Sequence, residues 1–139
     1  MKINIDKDIK EKLTNIFSYY NKKFKLDIKL IFTNSANNCG YRHGTEIDIG
    51  INYLLITFKN RLWKKRFNYN NLIEYNIIVL LHELGHAIDF HCNHEKFMKN
   101  YQEVKEKYNK NEINEENYPK LPLEKEADKF ANIEINKWR

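Results

Sequence analysis

The sequence predicts a single α+β domain, on three observations. The chain has 139 residues, a length that favours one domain. Apolar residues recur at helical spacing near its start, in its centre and at its end. Between the first two of these stretches lie two short segments in which apolar and polar residues alternate, as in strands. A hydrophobic fraction of 42% suits one compact core and argues against disorder.

The elements follow in order. Ile5, Ile9, Leu13, Ile16 and Phe17 predict an amphipathic helix over residues 6–21, with Asp6 as its cap. Residues 26–33, Leu-Asp-Ile-Lys-Leu-Ile-Phe-Thr, read as a strand. Asn34 to Gly40 carries Asn, Ser and Gly and reads as a loop. Thr45 to Ile51 alternates cleanly and reads as a second strand. Residues 53–67 pass from apolar to basic and are expected to be partly helical. A strong helix is predicted from Leu72 to Phe90, with Asn71 and Glu74 in a capping pattern. Glu95 to Asn109 reads as a polar helix and residues 111–120 as a loop. The last helix is expected over residues 123–138, with Pro122 where a first turn accepts proline.

Charge and cysteine content narrow the function classes. The net charge of +5 favours acidic partners only weakly. Cys39 and Cys92 stand far apart, with no C-x-x-C pair and no disulfide framework. Two free thiols are the expectation, with a Cys39–Cys92 bridge the alternative. The N-terminus has no apolar core of signal-peptide length, and the aliphatic run from Ile77 to Leu81 is too short to span a bilayer. The expectation is a cytoplasmic protein with no membrane partner.

The chemistry is concentrated in His82-Glu-Leu-Gly-His86. Histidines four apart on a helix project from one face, where both imidazoles can reach one metal ion at about 2.0–2.1 Å. Glu83 points to the side of that pair, where its carboxylate can accept a proton from water. Isolated core histidines would not bring a buried, unpaired carboxylate beside them, because its burial is expensive. Gly85 leaves room on the neighbouring face.

A catalytic zinc commonly takes three protein ligands and keeps one position open. Glu124 of Glu124-Lys-Glu-Ala-Asp128 is the expected third ligand, on one helix face with Asp128 and Ala131. Asp128, one turn on, can bond the far nitrogen of a ligand imidazole. Small residues at Ala127 and Ala131 let this helix pack close to the histidine helix. Glu126 competes from another face. Asp89, His91 and His94 are nearer, but three ligands from one straight helix would be strung along its axis.

HELGH followed by E-x-x-A-D resembles the gluzincins: the minigluzincins and the peptidases that cleave phage and bacterial immunity repressors. Glu124-Lys-Glu-Ala-Asp-Lys-Phe-Ala131 is similar to the E-x-E-A-D/N-x-F-A pattern of the latter, while the following Asn-Ile-Glu-Ile departs from it. The resemblance covers residues 25–138, with only these two motifs specific. It implies a small, mostly antiparallel sheet of two or three strands packed on the active-site helix, with Thr45–Ile51 as the edge strand that pairs with extended substrate. It also implies a zinc endopeptidase, Zn2+ as cofactor, Glu83 as general base, and His82, His86 and Glu124 as ligands. An oxyanion donor is expected among Tyr118, His43 and His94.

The basic segment Lys59-Asn-Arg-Leu-Trp-Lys-Lys-Arg66 raises a nucleic-acid partner, as in SprT-like peptidases that share the HExxH helix. The alternative is an amphipathic segment with Leu62, Trp63 and Phe67 facing the core and its cations facing water. A metal-binding but inactive partner-binding or toxin-like module is the remaining reading; the intact Glu83 argues against it.

Overall fold

The computed structural model describes residues 2–139, with side chains described from Lys7 onward. In chain order the elements are α1 (Lys2–Phe24), β1 (Lys29–Thr33), β2 (Gly40–Arg42), β3 (Glu46–Gly50), α2 (Ile51–Lys59), α3 (Leu72–Cys92), α4 (His94–Asn109) and α5 (Pro122–Glu134). Short 3-10 turns at Tyr118–Lys120 and Ile135–Lys137 flank α5. The fold class is α+β. Helix α1 begins ahead of Asp6, which therefore lies inside its first turns and not at a cap; the Ile5 and Asp6 side chains lie outside the described ones.

Helix α3 is the axis of the molecule. Every residue from Tyr75 to Ile88 is buried, and a helix that is apolar nearly all round belongs in the centre of a fold. Its start is fixed as the sequence predicts: Asn71 Oδ1 accepts from Glu74 N at 2.9 Å. Glu74 Oε1 in turn accepts from Asn70 N at 3.2 Å. Around α3 sit α1, whose Leu13, Ile16 and Tyr20 are buried in the core, and α5, which packs against it most extensively.

The sheet departs from expectation. It has three strands in the order β1-β3-β2, with β1 parallel and β2 antiparallel to β3. It is mixed, not mostly antiparallel. The strand expected at the edge, Thr45–Ile51, forms β3 and is paired on both sides, so it is the central strand. The reason lies in the segment expected to be a loop. A strand that begins at its last residue, β2 over Gly40–Arg42, folds back on β3 through His43, Gly44 and Thr45, with Gly44 in the left-handed region at φ +71°. Such a turn suits a short hairpin loop with glycine at the left-handed position. Ile47 and Ile49 on β3 are fully buried, as the central position requires.

Cys39 and Cys92 are both free thiols. Among the described residues, no helix is long and apolar enough to cross a membrane.

Helices α3 and α5 cross closely at Gly85. A Cβ placed on Gly85 would lie 3.2 Å from Ala127 Cα and 3.4 Å from Ala127 O. The neighbouring atoms are backbone and cannot swing away. Gly85→Ala therefore sets about 1 kcal/mol of gained helix propensity against an overpacking cost of about 1–3 kcal/mol. The expected result is a lower urea midpoint. A stabilised variant would show that the two helices have slack at this crossing.

Candidate metal centre

Helix α3 places His82 and His86 on the face that meets α5, with Glu83 in the lining of the adjoining cleft. The rings of His82 and His86 are 4.7 Å apart, centroid to centroid. Pro122 sits in the first turn of α5, which positions Glu124 one turn before Asp128. His82, Glu83, His86 and Glu124 are all buried.

Glu124 faces both imidazoles at once. Its Oε1 is 3.2 Å from His82 Nε2, and its Oε2 is 3.0 Å from His86 Nε2. Donor atoms at 2.0–2.1 Å around a tetrahedral ion stand about 3.3 Å from one another. The three side chains hold their donors at nearly that spacing, with the whole set within 4.8 Å. This buried group could hold a metal ion. The fit has a second support: His82 Nδ1, His86 Nδ1 and Asp128 Oδ1 are buried without a well-directed hydrogen bond. Asp128 Oδ1 lies only 2.7 Å from His82 Nδ1, close enough to bond once the ring turns slightly. Buried polar atoms rarely stay unsatisfied, and rings turned to hold an ion through Nε2 would present their Nδ1 atoms to such partners.

Arg66 belongs to this centre, and the sequence reading assigned it elsewhere. Its Nε donates to Asp128 Oδ2 at 2.6 Å and its Nη2 to Glu124 Oε1 at 2.9 Å. Its side chain is only 9% exposed, so it is not a solvated cation of a basic face. No local pattern betrays it, because its partners lie 58 and 62 residues away in sequence. In the same segment Lys64 Nζ donates to Tyr69 O at 2.5 Å. Phe67 is buried and Trp63 half-buried, while Leu62 is exposed, contrary to the expected core-facing trio.

A cleft of about 310 Å³ opens onto the centre, lined by Glu83, Tyr118, His43, Tyr53 and Trp63 besides the three ligand candidates. Glu83 takes no part in the ion pairs around Glu124. Of the expected oxyanion donors, Tyr118 and His43 reach the cleft. His94 does not: its Nδ1 lies 3.0 Å from Phe90 O at an exposed position. Burial, then the charge of Glu124, pushes the Tyr118 hydroxyl above the ordinary tyrosine value. Burial likewise lowers His43, with the positive charges of His86 and His94 adding to it. The rival ligands stay outside. Glu126 is exposed and pairs with Lys96 at 3.7 Å. Asp89 accepts from Asn93 Nδ2 at 3.3 Å, and His91 is exposed.

The ionisation of the metal-free centre follows from its contacts. Burial opposes charge on His82, but the carboxylates of Asp128 and Glu124 close beside its ring outweigh that and push it up to about 9. Glu124 is held far below the usual carboxylate range: burial would raise it, and the hydrogen bonds of His82 and His86 prevail.

No protein-family model matches the chain, and no curated protein or solved structure shows a significant likeness to it.

Two expectations follow. In chelator-treated protein, the raised pKa of His82 contributes stability that is fully present below the ordinary value of 6.5 and lost as pH rises through about 9. Urea midpoints should fall across that window, and Asp128→Asn should flatten the fall. A profile flat in the parent would show that His82 is neutral in the fold. Separately, Glu124→Ala should weaken metal binding severely and Glu126→Ala hardly at all, with Asp128→Asn between them at about 10–100-fold. Titration with zinc orders the three, and equal losses at Glu124 and Glu126 would remove Glu124 from the ligand set.

Proposed function

We propose that the chain is a zinc-dependent metallopeptidase of the gluzincin type. The observation that carries the reading is the convergence of His82, His86 and Glu124 from two helices, with Glu124 at 3.2 and 3.0 Å from the two imidazoles and Glu83 in the lining of the cleft beside them. Two imidazoles and one carboxylate suit zinc, and three protein ligands leave a position for water or substrate. Zinc held there would supply Lewis acidity to polarise a peptide carbonyl and acidify a water.

The chain's own groups supply the rest. Glu83 accepts a proton from the attacking water and hands it to the departing amine nitrogen. Asp128 orients His82 from behind, and Arg66 orients Asp128. Tyr118 presents a hydroxyl kept protonated by burial, suited to donate toward an oxyanion. Peptide substrate enters against a different strand from the one the sequence suggested. Gly40 and Tyr41 of β2 line the cleft, and β2 is the free edge on that side of the sheet.

The nucleic-acid reading has less support. Burial of Arg66 withdraws one cation from the basic segment, and Lys64, though exposed like Lys59, Arg61 and Lys65, has its ammonium tied to Tyr69 O. Trp63, the candidate stacking residue, packs against the Arg66 guanidinium, 4.8 Å from its ring centre.

Elemental analysis of purified protein, with hydrolysis of a labelled unfolded protein and its arrest by chelator, tests the proposal. Glu83→Gln should keep the fold and stoichiometric zinc yet lose at least about 100-fold in turnover, the usual worth of a positioned general base. Wild-type turnover in a zinc-loaded Glu83→Gln protein would take the base role away from Glu83.

A further inference from the structure

We propose that Arg66 is a positioning residue that offers Glu124 to the metal through one oxygen only. The inference rests on the metal-centre reading and adds a residue that no motif contains. The two oxygens of Glu124 are not equivalent. Each faces one imidazole, but Oε1 also accepts a charge-assisted hydrogen bond from Arg66 Nη2 at 2.9 Å, whereas Oε2 meets no guanidinium. To bind an ion through both oxygens, Glu124 would have to weaken the bond at Oε1 in a site nearly closed to water. Losing a charged partner is costly there.

Arg66 is itself held rigidly. Its Nε is fixed by Asp128 Oδ2 at 2.6 Å. Its backbone O accepts from Asn132 Nδ2 at 3.1 Å, and Asn132 Oδ1 accepts from Asn68 N at 2.9 Å. The fork and the backbone behind it are thus both tied to α5, the helix that carries Glu124. The rings of Trp63, Phe67 and Tyr118 surround the guanidinium at 4.8, 5.1 and 5.5 Å. A planar fork can engage two acids one helical turn apart; a lysine ammonium lacks that geometry.

Charge points the same way. With both histidines neutral as ligands, the centre holds Glu83, Glu124 and Asp128 against Arg66. One divalent ion then brings the sum to zero, so Arg66 balances the charge without occupying a coordination position. A carboxylate restricted to one oxygen leaves three protein donors and an open place, as hydrolysis requires.

The test is the visible spectrum of the cobalt-substituted protein, since Co2+ absorbs strongly in four-coordinate sites and weakly as donors are added. The parent should bind one Co2+ per chain with intense bands. Arg66→Met should still bind Co2+, with bands weakened several-fold as the released oxygen joins the ion. Arg66→Lys should fall between. A merely structural role would move the urea midpoint and leave the bands alone. Unchanged bands in cobalt-loaded Arg66→Met overturn the inference while leaving the metal centre standing; if that variant does not fold, parent-like bands in Arg66→Lys do the same. A parent that takes up no Co2+ removes the metal-centre reading and this inference with it.

Discussion

The centre depends on one close contact, the crossing of α3 and α5 at Gly85. Two histidines on one helix cannot enclose an ion alone, because their donors lie along its axis. A third donor must come from a second helix, and its reach is only that of a glutamate side chain. That condition is met because Gly85 has no side chain and Ala127 and Ala131 have small ones. The backbones approach until a methyl group would be crowded, 3.2 Å from Ala127 Cα, and Glu124 then meets both imidazoles. The glycine is unfavourable within a helix by about 1 kcal/mol, a cost explained by what its absence of a Cβ permits.

Such an approach concentrates charge. Glu124 and Asp128 sit one turn apart, both nearly removed from water, and buried carboxylates persist only when paired. Arg66 and the two imidazoles do the pairing. Because Arg66 comes from the segment ahead of α3, that segment is bound to the centre by its side chain and to α5 by the bonds of Asn132. The loop before α3 is therefore part of the site's architecture, although it carries none of the proposed ligands.

How much of this could be read in the sequence follows from the range of each interaction. Helices α3, α4 and α5 were legible because their patterns are local: an Asn71 cap, apolar spacing, a Pro122 start. The grouping of His82, His86 and Glu124 was legible too, since helical geometry fixes which residues share a face, and small residues mark where helices can touch. The sheet was legible only as strands. Residues Gly40–Arg42 are too few for alternation to register as a strand, and without β2 the segment Thr45–Ile51 has no second partner to contradict the edge position that the resemblance implies. Arg66 was hidden for a different reason. A cation among cations reads as solvated, and nothing local distinguishes the one that folds inward to acids some 60 residues away.

The altered sheet order bears on recognition. Under the peptidase reading, the edge beside the cleft is β2, and β2 is short. Part of it is engaged already: Arg42 Nε donates to Asp48 Oδ2 at 3.1 Å, and the Tyr41 hydroxyl accepts from Gly44 N at 2.6 Å. The loop leading into it lies against the end of β3, where the carbonyls of Asn38 and Ser35 occupy the space that a Cβ on Gly50 would need. An edge so short can pair with only a few substrate residues, so main-chain bonds contribute little of the affinity. Discrimination then falls to the cleft, whose walls include Tyr53, Trp63 and Tyr118 and whose charged groups are gathered at the metal centre. Under the peptidase proposal, a site built this way would recognise a short extended stretch by the side chain placed among those rings, with the backbone serving to hold the carbonyl in front of Glu83.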